Sequence, residues 1–188
     1  MLLLTGFEPF TTGEGLKLKV NPTAEIVTNI AQELSDVSSA ILPVSYEQTK
    51  QQLSDLFENK KPNAWIGLGY APHRTTLDIE VVAVNLKHTE TGDNTGEKPW
   101  MRPIIENAPL AYQTQLNLPN AIEAFFDVGL NAQASFHAGT FLCNQVFYLG
   151  CHRVESDSPL TMAAFIHVPP MKHFRTFEEG LTKLIQNL

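Results

Sequence analysis

The reactive chemistry of this chain concentrates in one short run, His137-Ala138-Gly139-Thr140-Phe141-Leu142-Cys143-Asn144-Gln145. Small, turn-prone residues lead into a segment of helical character, which sets Cys143 in the first turn of a helix. Backbone N–H groups there lack intrahelical acceptors and lie at the positive end of the helix dipole. A cysteine at that place is expected to favour the thiolate and to serve as a nucleophile. Such a nucleophile needs a base, and the base needs a group to orient it. His167, in Phe165-Ile166-His167-Val168-Pro169, ends an apolar run and is the candidate base. Glu80, in Leu77-Asp78-Ile79-Glu80-Val81-Val82, enters an apolar stretch where a carboxylate requires a partner. An imidazole N–H is a natural one, and the pairing would fix the histidine tautomer and stabilise the imidazolium.

Each of these residues also has a plainer reading. A cysteine is often a small buried hydrophobe, a histidine in an apolar strand is often a satisfied core residue, and Glu80 also fits an exposed strand end. Asp78 competes with Glu80, because strand alternation points both to one face. Cys151 has no turn before it and falls on the helix body, a structural position. His73, His88, His137, His152 and His173 are scattered with no ligand pair at helical spacing, so neither a metal site nor a cofactor is expected. Gly67 and Gly69 lack a phosphate-binding pattern and read as permitting a tight turn.

The elements that must carry these groups alternate in type. Apolar runs predict strands over residues 2–4, 40–44, 64–69, 77–86, 132–136 and 162–168. Helical spacing predicts helices from Asn21-Pro22-Thr23, with Asn as cap and Pro at the first turn, and over 46–59, 120–129, 144–153 and 177–188. Pro43 marks its strand as an edge. Residues 7–20 read as a loop, and 88–117 as a long aperiodic stretch of the kind that carries function or covers a site. The alternation predicts a three-layer α/β/α sandwich on a mostly parallel, mixed central sheet. Chemistry in such folds gathers at the carboxyl ends of strands. That rule brings the 6–10 loop, the 69–74 loop and His167 to one edge beside Cys143.

Bulk properties agree. A chain of 188 residues, 43% hydrophobic and 18% charged, fits one globular domain spanning residues 1–188. Its 13 basic and 20 acidic residues give a net charge of −7, which argues against nucleic acid or a membrane surface as partner. Cys143 and Cys151, eight apart on one helix, would stand roughly 12 Å apart, too far for a disulfide. Two free thiols suit a reducing cytoplasm. The apolar start Met1-Leu2-Leu3-Leu4 stops at Thr5-Gly6 and reads as a strand rather than a leader. No apolar run approaches the roughly 18 residues of a membrane span.

Six blocks then stand in order: Leu4-Thr5-Gly6-Phe7-Glu8-Pro9-Phe10, Asn21-Pro22-Thr23, Gly67-Leu68-Gly69, Ile79-Glu80 with Ala83 and Asn85, residues 138–144, and residues 165–169. Together they resemble the pyroglutamyl peptidase I (pyrrolidone-carboxylate peptidase) family of cysteine peptidases, over residues 1 to about 171. The resemblance implies a cytosolic exopeptidase that removes an N-terminal pyroglutamyl residue from peptides, on the same sandwich fold, often assembled as a tetramer. The family triad carries over onto Glu80, Cys143 and His167. Phe10, Phe141 and Leu142 match family pocket positions, and Tyr70 stands where many members carry a lactam-recognising glutamine. Departures are Gly69-Tyr70-Ala71-Pro72-His73-Arg74 for Gly-Gln-Ala-Gly-Gly-Arg, Thr11-Thr12 for Gly-Gly, and Thr89-Glu90-Thr91-Gly92 for Ala-Arg-Ile-Pro before Asp93-Asn94. Rival readings are a catalytically silent member that binds pyroglutamyl-like ligands and an amidase of the same mechanism with a different acyl preference. A nucleoside phosphorylase on this sandwich would need a basic or Gly-rich phosphate cradle, which the sequence lacks.

Overall fold

The structure, a computed structural model, describes residues 1–11, 15, 17–156 and 158–188. Thr12 and part of the loop expected over 7–20 lie outside the described residues. In chain order the elements are β1 (Leu2–Phe7), α1 (Pro22–Glu33), β2 (Val37–Leu42), α2 (Tyr46–Lys60), β3 (Ala64–Tyr70), β4 (Leu77–Glu80), β5 (Val82–Val84), β6 (Ala111–Gln113), α3 (Leu118–Phe126), β7 (Ala132–Ser135), α4 (Leu142–Val154), β8 (Met162–Val168) and α5 (Arg175–Gln186). Six strands form one sheet in the order β2-β1-β3-β8-β4-β7, while β5 and β6 pair separately. The β2, β1, β3 and β8 strands run parallel, and β4 crosses β8 antiparallel while pairing β7 in parallel. This is the mixed, mostly parallel α/β sandwich expected.

Strand alternation splits the core in two. Leu2, Leu4, Ile66, Leu68, Ile79 and Ile166 pack one face of the sheet against α1, α3 and α5. Leu3, Trp65, Ala163 and Phe165 pack the other face against α2 and α4. The first helix starts as its sequence signals. Asn21 caps it, its side chain accepting from the Thr23 N–H at 3.2 Å, and Pro22 occupies the first turn, where no N–H is needed.

Three expectations need correction. Residues 77–86 are not one strand: the chain leaves the main sheet at Val81, whose N–H donates to Ser135 and whose carbonyl accepts from Thr114, and β5 then pairs with β6 across the 88–117 stretch. That stretch is therefore pinned, with the Asn85 side chain bonding Ile104, Ile105 and Ala108. Gly67 and Gly69 lie inside β3 rather than in a turn. A Cβ on Gly67 would stand 2.6 Å from the Phe165 ring, so the glycines serve close packing. The second strand is Val37–Leu42, an edge as expected but ending before Pro43. Among the described residues, no helix is long and apolar enough to cross a membrane.

Candidate active site

Cys143 is the second residue of α4, after an extended Phe141 with no side-chain cap. The first backbone bond of the helix runs from the Gln145 N–H to the Phe141 carbonyl at 3.1 Å. The N–H groups of Leu142, Cys143 and Asn144 belong to the first turn, where helix geometry supplies no intrahelical acceptor, and that of Cys143 lies against its own sulfur. The helix start is locked from both sides. Asn144, fully buried, accepts from the Val84 N–H at 3.0 Å and donates to the Val84 and Leu86 carbonyls at 2.9 Å each. Gln145 donates to the Tyr46 carbonyl at 2.7 Å. Three bonds from one buried amide fix the helix far better than propensity alone.

The sulfur lies over β3. A Cβ on Gly69 would stand 2.9 Å from Cys143 Sγ, and Gly69 is the ladder partner of His167 on β8. Cys143 and His167 line one cavity of about 410 Å³, together with Phe7, Phe10, Val44, Tyr70, Arg74, Phe141 and Leu142. The expected pocket residues Phe10, Tyr70, Phe141 and Leu142 are thus gathered beside the thiol. Phe7 joins them while also belonging to the core. Among the described residues, the cavity wall contains no Asp or Glu.

Glu80 is wholly buried, and its Oε1 lies 2.7 Å from His167 Nδ1. Burial works against the carboxylate. The His167 hydrogen bond and charge, with Ser135 and Arg74, outweigh it and hold Glu80 below the usual range. For His167 burial dominates and pushes the imidazole below its ordinary value, against the pull of Glu80. The ring is therefore neutral near pH 7, with Nδ1–H donated to Glu80 and Nε2 left as the basic nitrogen. Asp78 shares the Glu80 face, yet its partners are Arg74, Thr76 and Gln133. It supports the site and does not replace Glu80 as the histidine partner.

One electrostatic expectation is overturned. Burial, reinforced by the Glu80 charge, pushes the Cys143 thiol up to about 12 despite the helix terminus. The residue keeps part of its surface open to the cavity, which trims that cost without reversing its sign. The helix dipole is worth about 2 kcal/mol at most at a partly buried site and does not offset desolvation beside an anionic carboxylate. With His167 neutral, the nearby Arg74 charge favours the thiolate but does not outweigh burial, and the resting state is thiol plus imidazole. Cys151 is buried and free, as read from the sequence.

Several supporting groups stand in the sequence motifs without a role that the motifs alone assign. Arg74 binds both Asp78 and Glu80. Asn94 donates to Glu8 Oε1 and to the Pro9 carbonyl at 3.0 Å each, while Glu8 Oε1 also accepts from the Val44 N–H. This network frames the loop that carries Phe10. Asp93 accepts from the Tyr46 N–H at the start of α2. The signal available was Asp93-Asn94 standing amid an aperiodic stretch, polar residues with no periodic role.

The chain is a hydrolase of the peptidase class. The family described as pyroglutamyl peptidase matches residues 1–181, and the chain belongs to that family. It is 37% identical over 171 residues to the pyrrolidone-carboxylate peptidase of Pyrococcus furiosus, covering 89% of this chain and 80% of that protein. It is 35% identical over 173 residues to the protein of the same name from Pseudomonas fluorescens, covering 90% and 78%. The crystal structure of the Pyrococcus furiosus pyrrolidone carboxyl peptidase superposes with a TM-score of 0.90 at 31% identity, covering 99% of this chain and 96% of that one.

Proposed function

We propose that the protein removes N-terminal pyroglutamyl residues from peptides, with Cys143 as nucleophile, His167 as general base and acid, and Glu80 as the group that orients and stabilises the imidazole. One observation carries the reading. Cys143 and His167 line a single apolar cavity, and His167 Nδ1 bonds a wholly buried carboxylate.

The chemistry follows from the resting thiol–imidazole pair. As Cys143 Sγ attacks the pyroglutamyl carbonyl carbon, its proton passes to His167 Nε2. The new imidazolium is stabilised through Nδ1 by Glu80. The carbonyl oxygen becomes an oxyanion before the N–H donors at the start of α4. The C–N bond then breaks as His167 returns the proton to the leaving amine, giving a thioester. Water attacks the thioester with His167 taking its proton, and pyroglutamate leaves as the thiol is restored. An uncharged lactam suits a wall of Phe10, Val44, Phe141 and Leu142. A free N-terminal ammonium would lose its water there and find no carboxylate in the cavity wall.

The same reading extends to one peptidase domain over residues 1–188, to a cytoplasmic setting, which two free thiols support, and to a homo-oligomer. Trp100, Leu110, Phe126 and Phe136 stand largely exposed, and such apolar surface supports assembly. The test is hydrolysis of a pyroglutamyl fluorogenic amide beside its prolyl analogue, with Cys143→Ser as control. Release from the pyroglutamyl substrate alone, lost in Cys143→Ser, is expected. No release from folded, reduced protein would favour a silent member, and release of another acyl group would favour an amidase with altered preference.

A further inference from the structure

Arg74 lies between β3 and β4, half-buried, and one guanidinium reaches three separate segments. Its Nη1 sits 2.6 Å from Asp78 Oδ2 and 2.8 Å from Glu80 Oε1, the same oxygen that takes His167 Nδ1. Its Nη2 donates to the His137 carbonyl at 3.0 Å, in the run that leads to Cys143. Nη1 also approaches Ser135 Oγ at 3.4 Å. With Asp78 and Glu80 on β4, and Asp78 the ladder partner of His167, two carboxylates crowd one imidazole. Four protein partners hold the guanidinium in place at one corner of the cavity wall.

We propose that Arg74 is a positioning residue that fixes the Glu80 carboxylate against His167 and ties the nucleophile-bearing loop to the same point. This rests on the function proposed above. A planar fork suits the task, because it can satisfy a carboxylate pair and a carbonyl at fixed angles, which an ammonium cannot. The charge matters as well as the shape. The groups facing His167 are Glu80 and Asp78 from β4, Arg74 from the β3–β4 connection and Cys143 from α4, with Gly69 and Phe165 uncharged beside them. Arg74 cancels one of the two negative charges and keeps the ring a free base.

The experiment measures kcat and KM for a pyroglutamyl amide from pH 5 to 9, together with iodoacetamide alkylation of Cys143, for wild type, Arg74→Met, Arg74→Lys and Asp78→Asn. Arg74→Met should lower kcat by about 10- to 100-fold, as for loss of charge-assisted hydrogen bonds, with KM little changed. Its acidic limb should move up by roughly one to two pH units, as two unbalanced carboxylates stabilise the imidazolium. Arg74→Lys should keep the limb in place but lose kcat. Asp78→Asn, which preserves shape, should move the limb down, and it tests the idea even if Arg74→Met does not fold. A KM effect alone, or an unchanged kcat and limb in Arg74→Met, would overturn the proposal. If wild type releases no pyroglutamyl product, the function reading fails. The proposal is then judged on alkylation: a profile that differs between wild type and the variants supports it, and an identical one overturns it.

Discussion

Replacing Glu80 with glutamine removes one charge from a fully buried site and changes almost no volume. Glu80 Oε1 accepts from His167 Nδ1 at 2.7 Å and from Arg74 Nη1 at 2.8 Å. The imidazolium formed during attack would lose its counter-charge. At about 4 Å between charge centres and an effective dielectric near 20, that interaction is worth about 4 kcal/mol, or roughly 10³-fold in rate. A glutamine that turns its NH₂ toward His167 would also force the wrong tautomer, a fault known to cost about 10⁴ in a serine protease triad. The expected fall in kcat is therefore 10³- to 10⁴-fold, with KM changed little because Glu80 does not line the cavity. Steady-state kinetics on a pyroglutamyl amide, beside a thermal melt to verify folding, reads both. If folded Glu80→Gln kept more than about a tenth of wild-type kcat, the reasoning from charge would be refuted.

Three further outcomes follow from the same geometry. Glu80 and His167 are both held below their ordinary values in the folded protein, so the unfolded chain binds more protons and acid favours unfolding. Stability should fall as pH drops below about 6.5, where an unfolded histidine protonates, and further through the carboxylate range. His167→Gln should flatten the first part of a Tm–pH curve, and an unaltered curve would contradict the assignment. Alkylation of Cys143 should accelerate close to tenfold per pH unit between pH 7 and 10 with no plateau, since the thiol is pushed up to about 12; a plateau at neutral pH would show a preformed ion pair. Gly69→Ala places a Cβ 2.9 Å from Cys143 Sγ and from the Phe165 ring. It should cost about 1–3 kcal/mol in stability and about 100-fold in kcat, and wild-type kcat in a folded variant would displace the thiol from the proposed site.

What could be read from the sequence was local. Asn21-Pro22 announced α1, the apolar runs announced β1, β3 and β8, and the small residues before Phe141 announced the start of α4. Strand alternation placed Asp78 and Glu80 on one face, as observed. What escaped depends on where distant segments meet. The reversal of β4 against β8, which sets Asp78 opposite His167, has no local signature. The choice of Glu80 over Asp78 is made by Thr76 and Gln133, which occupy Asp78 alone, whereas Arg74 binds both carboxylates. Thiolate and thiol at Cys143 differ by burial and by a carboxylate 63 positions earlier in the chain, whereas the helix terminus alone points the other way. Gly67 and Gly69 looked like turn residues because the rings of Trp65 and Phe165 that exclude a side chain lie on the same sheet face.

The proposed mechanism requires Cys143 to carry the pyroglutamyl group as a thioester. The most direct measurement is acid-quenched intact and peptide mass spectrometry of the enzyme during turnover of a pyroglutamyl ester, with Cys143→Ala alongside. A mass increase of one pyroglutamyl group is expected on the peptide containing Cys143, absent from Cys143→Ala and from the prolyl control. Turnover with no adduct on Cys143, or an equal adduct in Cys143→Ala, would contradict it.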